Sequence, residues 1–242
     1  MAIRVTIWNE DNLQETKPEV LQVHPRGLNG TLAGIFEDQA GFAVRTVSLS
    51  DPDAGVSDET LDDTDVLIWW GHCKHGQVSD EAVTRVQRHV LRGMGLIVLH
   101  SGHESKIMQR LLGTQCSVRW HEVNERERIF VIEPGHPIMK GVPPYFELEG
   151  EEMYGERFDI PAPDALLALG WYETGEVFRS ACCFNRGCGK VFYFQPGHET
   201  LRSFYHESVR RIILNAASWA AWDRRLDHPL HSEFAPPLEE KR

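Results

Sequence analysis

Five histidines stand just beyond apolar runs: His72 and His75 in WWGHCKH, His100 and His103 in VLHSGHE, and His198 in FYFQPGHE. Neutral imidazole is the commonest protein metal ligand, and its proton comes and goes near neutral pH. The runs before them, residues 66–70, 96–99 and 191–194, are β-type in composition. In an open α/β sheet the carboxyl ends of the strands form the ligand crevice. Histidines at three separate strand ends therefore predict one site.

Each cluster suggests its own chemistry. His72-Cys-Lys-His75 can turn both rings to one side if the loop coils helically. Two ligands do not hold a metal, because zinc usually takes at least three protein groups. His72, His75 and His103 are the expected ligands of a divalent cation, zinc foremost, with Glu151 and Glu152 as carboxylates within call. His100 occupies a strand-to-helix turn with Gly102 two positions on, the pattern of an elbow that aims one side chain into the crevice. His100, His198 and the adjacent Glu199 are the candidate acid–base residues. Plainer readings are a His100 that only ties its own turn and a His198-Glu199 that caps the last helix. Ser101 sits one residue off the elbow in Leu99-His-Ser-Gly-His103, which disfavours an acyl-enzyme mechanism. Glu152, Tyr154, Ser101 and Trp70 are the candidate substrate contacts, carboxylate and phenol for hydroxyls and indole for a sugar face, with Trp171 as a second stacking ring. The acidic stretch around them, Glu151 to Glu156, can equally be a solvated loop. His136 is expected to order a turn, and His24, His228 and His231 to be peripheral.

The elements that must position these residues alternate in type. Residues 3–8, 42–47, 65–70 and 96–99 read as strands, the last two continuous apolar runs suited to burial on both faces. Between them lie helical patterns over residues 27–41, a short helix capped by Ser57, one capped by Ser79, and residues 102–112. Such alternation predicts a doubly wound, mostly parallel α/β sheet with right-handed crossovers. The middle changes character. Short strands at 128–132, 146–148, 166–169 and 177–184, broken by Pro and Gly, predict extra or antiparallel strands. Arg186-Gly-Cys-Gly189 reads as a hairpin turn. Residues 203–222 carry an amphipathic helix, with Val209, Ile212, Ile213, Ala216, Trp219 and Ala220 at helical spacing. One domain over residues 1–224 and a Pro-rich charged tail over 225–242, disordered or an arm on a partner subunit, are expected.

Composition narrows the function. The chain has 242 residues and a formal charge of −11, which excludes a general nucleic-acid surface. No apolar run approaches the roughly 18 residues needed to span a bilayer, and no signal peptide is visible at the N-terminus. Five cysteines, an odd number in a chain of this size, argue for structural thiols and a reducing cytoplasm.

Several motifs resemble those of the ThuA-like family, named for trehalose utilisation. They are WNE (8–10), DVLIWWGH (65–72), GLIVLHSGHESK (95–106), GHPI (135–138), FELEGEEMYGE (146–156), GEVFRS (175–180) and GKVFYFQPGHET (189–200). The resemblance runs from Arg4 to Trp222 and implies a flavodoxin-like, class I glutamine amidotransferase-like fold. It places His100 where amidotransferases carry their nucleophilic cysteine, and His198-Glu199 where their late His-Glu element falls, so amidotransfer is not expected. Relatives carry Arg-His-Glu soon after WNE and Gly-Ile-His near the first helix. Here those stretches read Asn12-Leu13-Gln14 and Gly27-Leu28-Asn29. The resemblance implies a small sugar as partner, a trehalose-type disaccharide or a 3-keto sugar. The leading expectation is a metal-assisted, histidine-dependent sugar-processing enzyme acting as lyase or hydrolase, homo-oligomeric. The alternative is a non-catalytic sugar-binding module or an accessory to a sugar dehydrogenase, and the third a Ser101 hydrolase.

Overall fold

A computed structural model of the chain describes residues 2–10, 18–221, 225–228, 230–231 and 234–241. These residues form one nine-stranded mixed sheet in the order β2-β1-β3-β4-β9-β8-β7-β5-β6. Its parallel half comprises β1 (Ile3–Asn9), β2 (Phe42–Ser48), β3 (Val66–Trp70), β4 (Gly95–Leu99) and β9 (Gly189–Phe194). The antiparallel half adds β5 (Arg119–Val131), β6 (Tyr145–Gly155), β7 (Ala165–Tyr172) and β8 (Val177–Arg186).

Side chains of successive strand residues point to opposite faces, so an apolar run feeds two cores. On one face Ile7, Ile68, Trp70, Leu99 and Phe194 pack with α2 (Gly27–Ala33) and α6 (Glu207–Ala220). On the other, Leu67, Trp69, Val98 and Tyr193 pack with α3 (Asp58–Asp62), α4 (Asp80–Leu91) and α5 (Lys106–Leu112). A further short helix, α1 (Pro18–Val23), precedes α2. Helices thus cover both faces of the parallel half.

Ser57 and Ser79 cap their helices as expected, accepting from the Thr60 and Ala82 amides. The expected helix over residues 27–41 ends at Ala33, and Asp38 in the left-handed region breaks the remainder. The expected helix over 102–112 is split. A 3-10 segment, His100–Glu104, ends where Ser105 leaves helical geometry to cap α5, its hydroxyl accepting from the Met108 amide at 3.3 Å. Likewise a 3-10 turn, Ser203–Tyr205, precedes α6, whose cap is His206; Trp222 and the domain boundary at 224 lie outside the described residues.

The largest difference lies in the middle of the chain. β5 has 13 residues and β6 has 11, far beyond the short strands at 128–132 and 146–148. The first stretch of β5, residues 119–124, is exposed and mixes Trp120 and Val123 with polar residues, so no apolar alternation marks it. Glu151 to Gly155 belong to β6 and are buried, which corrects the reading of this stretch as a solvated loop. Arg186 pairs with Gly189 across the expected hairpin. The tail begins docked on its own chain: the Leu226 amide donates to the Arg92 carbonyl at 3.0 Å, and Arg225 donates to the Leu61 and Thr64 carbonyls.

Candidate functional site

β3, β4 and β9 lie side by side and in register, so their carboxyl ends bring the loops at residues 71–75, 100–104 and 195–199 together. His72, His100 and His198 meet there. Ring centroids are 6.4 Å apart for His72 and His100, 5.9 Å for His72 and His198, and 5.5 Å for His100 and His198.

His100 is the elbow. Its φ of 51° is a left-handed conformation that a residue bearing a Cβ adopts at a cost. Gly102 is required beside it, because an added Cβ would lie 2.9 Å from Val98 Cγ1 and 3.3 Å from the Trp69 carbonyl. The strained turn drives His100 inward. Its Nδ1–H donates to the Gln195 carbonyl at 2.9 Å, and its Nε2 lies 3.0 Å from Glu152 Oε2. That ion pair is not aligned as a hydrogen bond, so both atoms remain without a hydrogen-bond partner although buried. Burial by itself pushes the His100 pKa down, but the contact and charge of Glu152 and the charge of Glu151 outweigh it and hold it above the ordinary histidine value. Burial likewise opposes ionisation of Glu152, yet His100, His198 and His72 hold its pKa below the carboxylate norm. Both sides of the pair point to imidazolium and carboxylate.

His72 Nδ1 lies 2.8 Å from Ser101 Oγ, whose own proton goes to the Gly71 carbonyl at 3.0 Å. His72 is therefore the donor there, and its Nε2 faces Glu199 Oε1 at 3.7 Å. His198 Nδ1 contacts Thr200 Oγ1 at 2.9 Å, and its Nε2 lies 3.6 Å from Glu199 Oε2. Burial and the His100 charge lower the His198 pKa. All three rings turn Nε2 to the common space. His72, which donates from Nδ1, has the second-shell pattern of a metal-binding histidine, whereas His198 Nδ1 accepts from the Thr200 amide at 3.3 Å.

Ligand atoms of His72, His198 and Glu199 lie within 4.8 Å of one another, as do those of His100, Glu152 and His198. Ligands about 2.1 Å from a tetrahedral ion would sit roughly 3.4 Å apart, close to the separations above. Glu199 Oε2 also lacks a hydrogen bond. The donor set fits a divalent cation.

Two other expected ligands fall outside these groups. The ring of His103 is enclosed by Tyr154, Phe158 and Tyr193, and its Nδ1 donates to the Cys116 carbonyl at 2.6 Å. Burial drives its pKa down to about 3, so it stays neutral. His75 is drawn under the Gly71 turn, with its pKa lowered by burial and its Nε2 without a partner.

The proposed substrate contacts divide in the same way. Trp70 is fully buried and donates from Nε1 to the Gly197 carbonyl at 3.0 Å, so it holds the His198 loop and offers no face to a sugar. Tyr154 is stacked under His100 with centroids 5.3 Å apart. Trp171 is exposed on β7, beneath the Arg128 guanidinium. Glu152 does reach the opening. A cleft of about 170 Å³ is lined by Glu152, His198, Thr200, Leu201 and, from β5, Glu122, Val123 and Asn124. Glu152, not His100, is the member of the pair that faces it.

Two carboxylates of the site hold loops, a role the sequence did not assign to either. Glu10, buried at the end of β1, accepts from the amides of His72, Cys73 and Lys74 and pins the first histidine loop. Glu151 does the same for the third loop, accepting from the Gly197 and His198 amides and the Ser203 hydroxyl. His24, expected to be peripheral, is buried against Tyr205, with its pKa lowered by burial to about 4. The WNE motif was the one available signal for Glu10. Asn12 to Gln14 lie outside the described residues. His136 orders its turn as expected, its Nδ1 accepting from the Ile138 amide. Cys116, Cys182 and Cys183 are buried with their thiol pKa raised by burial, which makes them structural.

Comparison with known proteins bears on the fold and the family. A ThuA-like protein of Parabacteroides merdae superposes with a TM-score of 0.69 at 16% identity, covering 93% of this chain and 92% of its own. A ThuA-like protein of Bacteroides uniformis gives 0.69 at 14% identity, covering 90% and 91%. A β-galactosidase of Bacillus circulans sp. alkalophilus gives 0.57 at 11% identity, covering 90% of this chain but only 31% of the enzyme. At these identities the likeness is one of fold. No curated protein matches the chain. Among the described residues no helix is long and apolar enough to cross a membrane. The family profile described as ThuA, trehalose utilisation, matches residues 4–220, and the chain belongs to that family.

Proposed function

We propose that the chain is a cytoplasmic sugar-processing enzyme of the lyase or hydrolase type, with its site built at the carboxyl ends of a flavodoxin-like parallel half-sheet. The carrying observation is that three imidazoles from three strand ends present Nε2 into one space beside carboxylate oxygens that lack hydrogen bonds. His72, His198 and Glu199 would hold a divalent cation, zinc by the nitrogen-rich donor set. When bound, it supplies Lewis acidity to a carbonyl or hydroxyl oxygen of the sugar.

Glu152 and His100 form the proton-transfer pair. On a 3-keto glycoside, Glu152 at the cleft takes the proton from C2, beside the ketone. The C–H electron pair becomes the C1–C2 double bond, and the C1–oxygen bond breaks. The pair, now carrying the extra proton, returns one to the departing oxygen. His100 behind Glu152, with its Nε2 3.0 Å from Oε2, keeps the carboxylate charged and oriented. The test combines metal analysis of the purified chain with turnover of 3-keto glycosides. About one zinc per chain, and loss of turnover in both chelated protein and His100→Ala, are expected; turnover untouched by both would sink the reading. The alternative module draws on Leu13 and Asn29, where the family resemblance implies histidines, and it predicts sugar binding without metal or turnover.

A further inference from the structure

Residues 122–124 of β5 leave the ladder. His121 pairs with Met153 and Glu125 with Glu151, so three residues on β5 stand opposite Glu152 alone. A bulge of this kind re-aims side chains beside functional sites. Here Glu122, Val123 and Asn124 form the outer wall of the histidine cleft. Asn124 anchors the bulge by lying across Gly150, where an added Cβ would collide with its side-chain amide. Glu122 is 71% exposed, yet its Oε1 lies 3.8 Å from Nε2 of the buried His198.

Carboxylates outnumber cations around this mouth. Glu122 and Glu152 line the cleft, Glu199 lies beside His198, and Glu10 and Glu151 lie behind the loops. No lysine or arginine is among the lining residues. Arg202, one residue past the lining Leu201, is laid over the Tyr205 ring at 4.7 Å. Against these five carboxylates stand the His100 imidazolium and, at most, one divalent cation, so the mouth keeps a negative field.

We propose that Glu122, carried on the β5 bulge, is a specificity-determining residue that admits neutral polyhydroxylated ligands and rejects anionic sugars such as uronates and sugar phosphates. The inference rests on the sugar-processing reading of the site and adds the ligand class. A cleft of about 170 Å³, below the roughly 300–1,000 Å³ of drug-sized pockets, suits one sugar ring at a time. A carboxylate or phosphate on that ring would sit within a few ångströms of Glu122 with no lysine or arginine in the lining to meet it. Like charges brought together at an entrance act against the wrong ligand more than they help the right one.

The test is calorimetric titration of the metal-loaded full chain with methyl glucoside and with glucuronate, for wild type and Glu122→Gln. Wild type is expected to prefer the glucoside, and the variant to narrow the preference about ten-fold, a figure kept modest because the carboxylate is exposed. Raising the salt concentration should narrow the wild-type preference as well. Equal binding of both ligands by wild type, or a preference unchanged in the variant, overturns the role of Glu122 and leaves the sugar reading standing. Binding of neither ligand to either protein overturns both. Because the side chain is exposed, the variant is expected to unfold at the wild-type temperature, which confirms that a changed preference is not a folding defect.

Discussion

The hydrogen bond of one nitrogen decides what the other can do in each of the three histidines. His100 spends Nδ1 on the Gln195 carbonyl, His72 on Ser101, and His198 on Thr200. The same bonds disarm Ser101, whose proton lies on the Gly71 carbonyl. A fluorophosphonate is therefore expected to leave Ser101 unlabelled in mass spectrometry, and labelling would revive the hydrolase reading. His100 and Glu152 are opposite cases of linkage. The raised His100 pKa gives stability that is present below its unfolded value of about 6.5 and is lost as pH rises through the folded one. The lowered Glu152 pKa gives stability present above about 4.5 and lost as pH falls through the folded value. The pair contributes most between those limits. Denaturant midpoints for His100→Gln should fall furthest behind wild type between pH 5 and 6, by roughly 1–3 kcal/mol.

At the scale of elements, the site depends on loops that carboxylates hold in place. Glu10 gathers three consecutive amides after β3. Replacing it by alanine leaves buried donors unpaired, at about 1–3 kcal/mol each before relaxation. Glu10→Ala should lower the melting temperature and weaken metal binding at His72, whereas Glu10→Gln, which keeps one acceptor oxygen, should recover part of both. Titration with cobalt, followed by its absorption, reads the second effect. The elbow between β4 and the 3-10 segment is equally constrained. Gly102→Ala would press a methyl group against Val98 and the Trp69 carbonyl, an overpacking cost of about 1–3 kcal/mol. The expected result is a lower urea midpoint with an unchanged m-value.

For the whole molecule, acid is the informative stress. His103 and His24 are buried and neutral, their pKa values pushed down to about 3 and about 4. Each takes up a proton on unfolding once pH falls below about 6.5, so each removes up to about 1.4 kcal/mol of stability per pH unit from there down to its folded value. Stability should fall steeply below pH 6, and His103→Asn, which can still donate to the Cys116 carbonyl, should flatten the slope by about one proton. A slope identical to wild type would mean that His103 is charged in the folded chain.

The sequence by itself determined the alternation of strands and helices in the parallel half, because runs such as residues 66–70 and 96–99 can only be buried on both faces. It also determined that histidines gather at strand ends, since chain order fixes which loops follow β3, β4 and β9. Which histidines share a centre was decided by tertiary structure. His75 and His103 sit three residues from His72 and His100 in sequence, yet one is tucked under Gly71 and the other is bonded to Cys116. The long reach of β5 and β6 was likewise hidden, because neither the exposed, mixed stretch 119–124 nor the Glu-Gly-Glu-Glu stretch 149–152 has an apolar period to read. The partners Glu152 and Glu122 come from those two strands. Their positions follow from antiparallel register and a three-residue bulge, and register is set by pairing across the sheet and not by any local pattern.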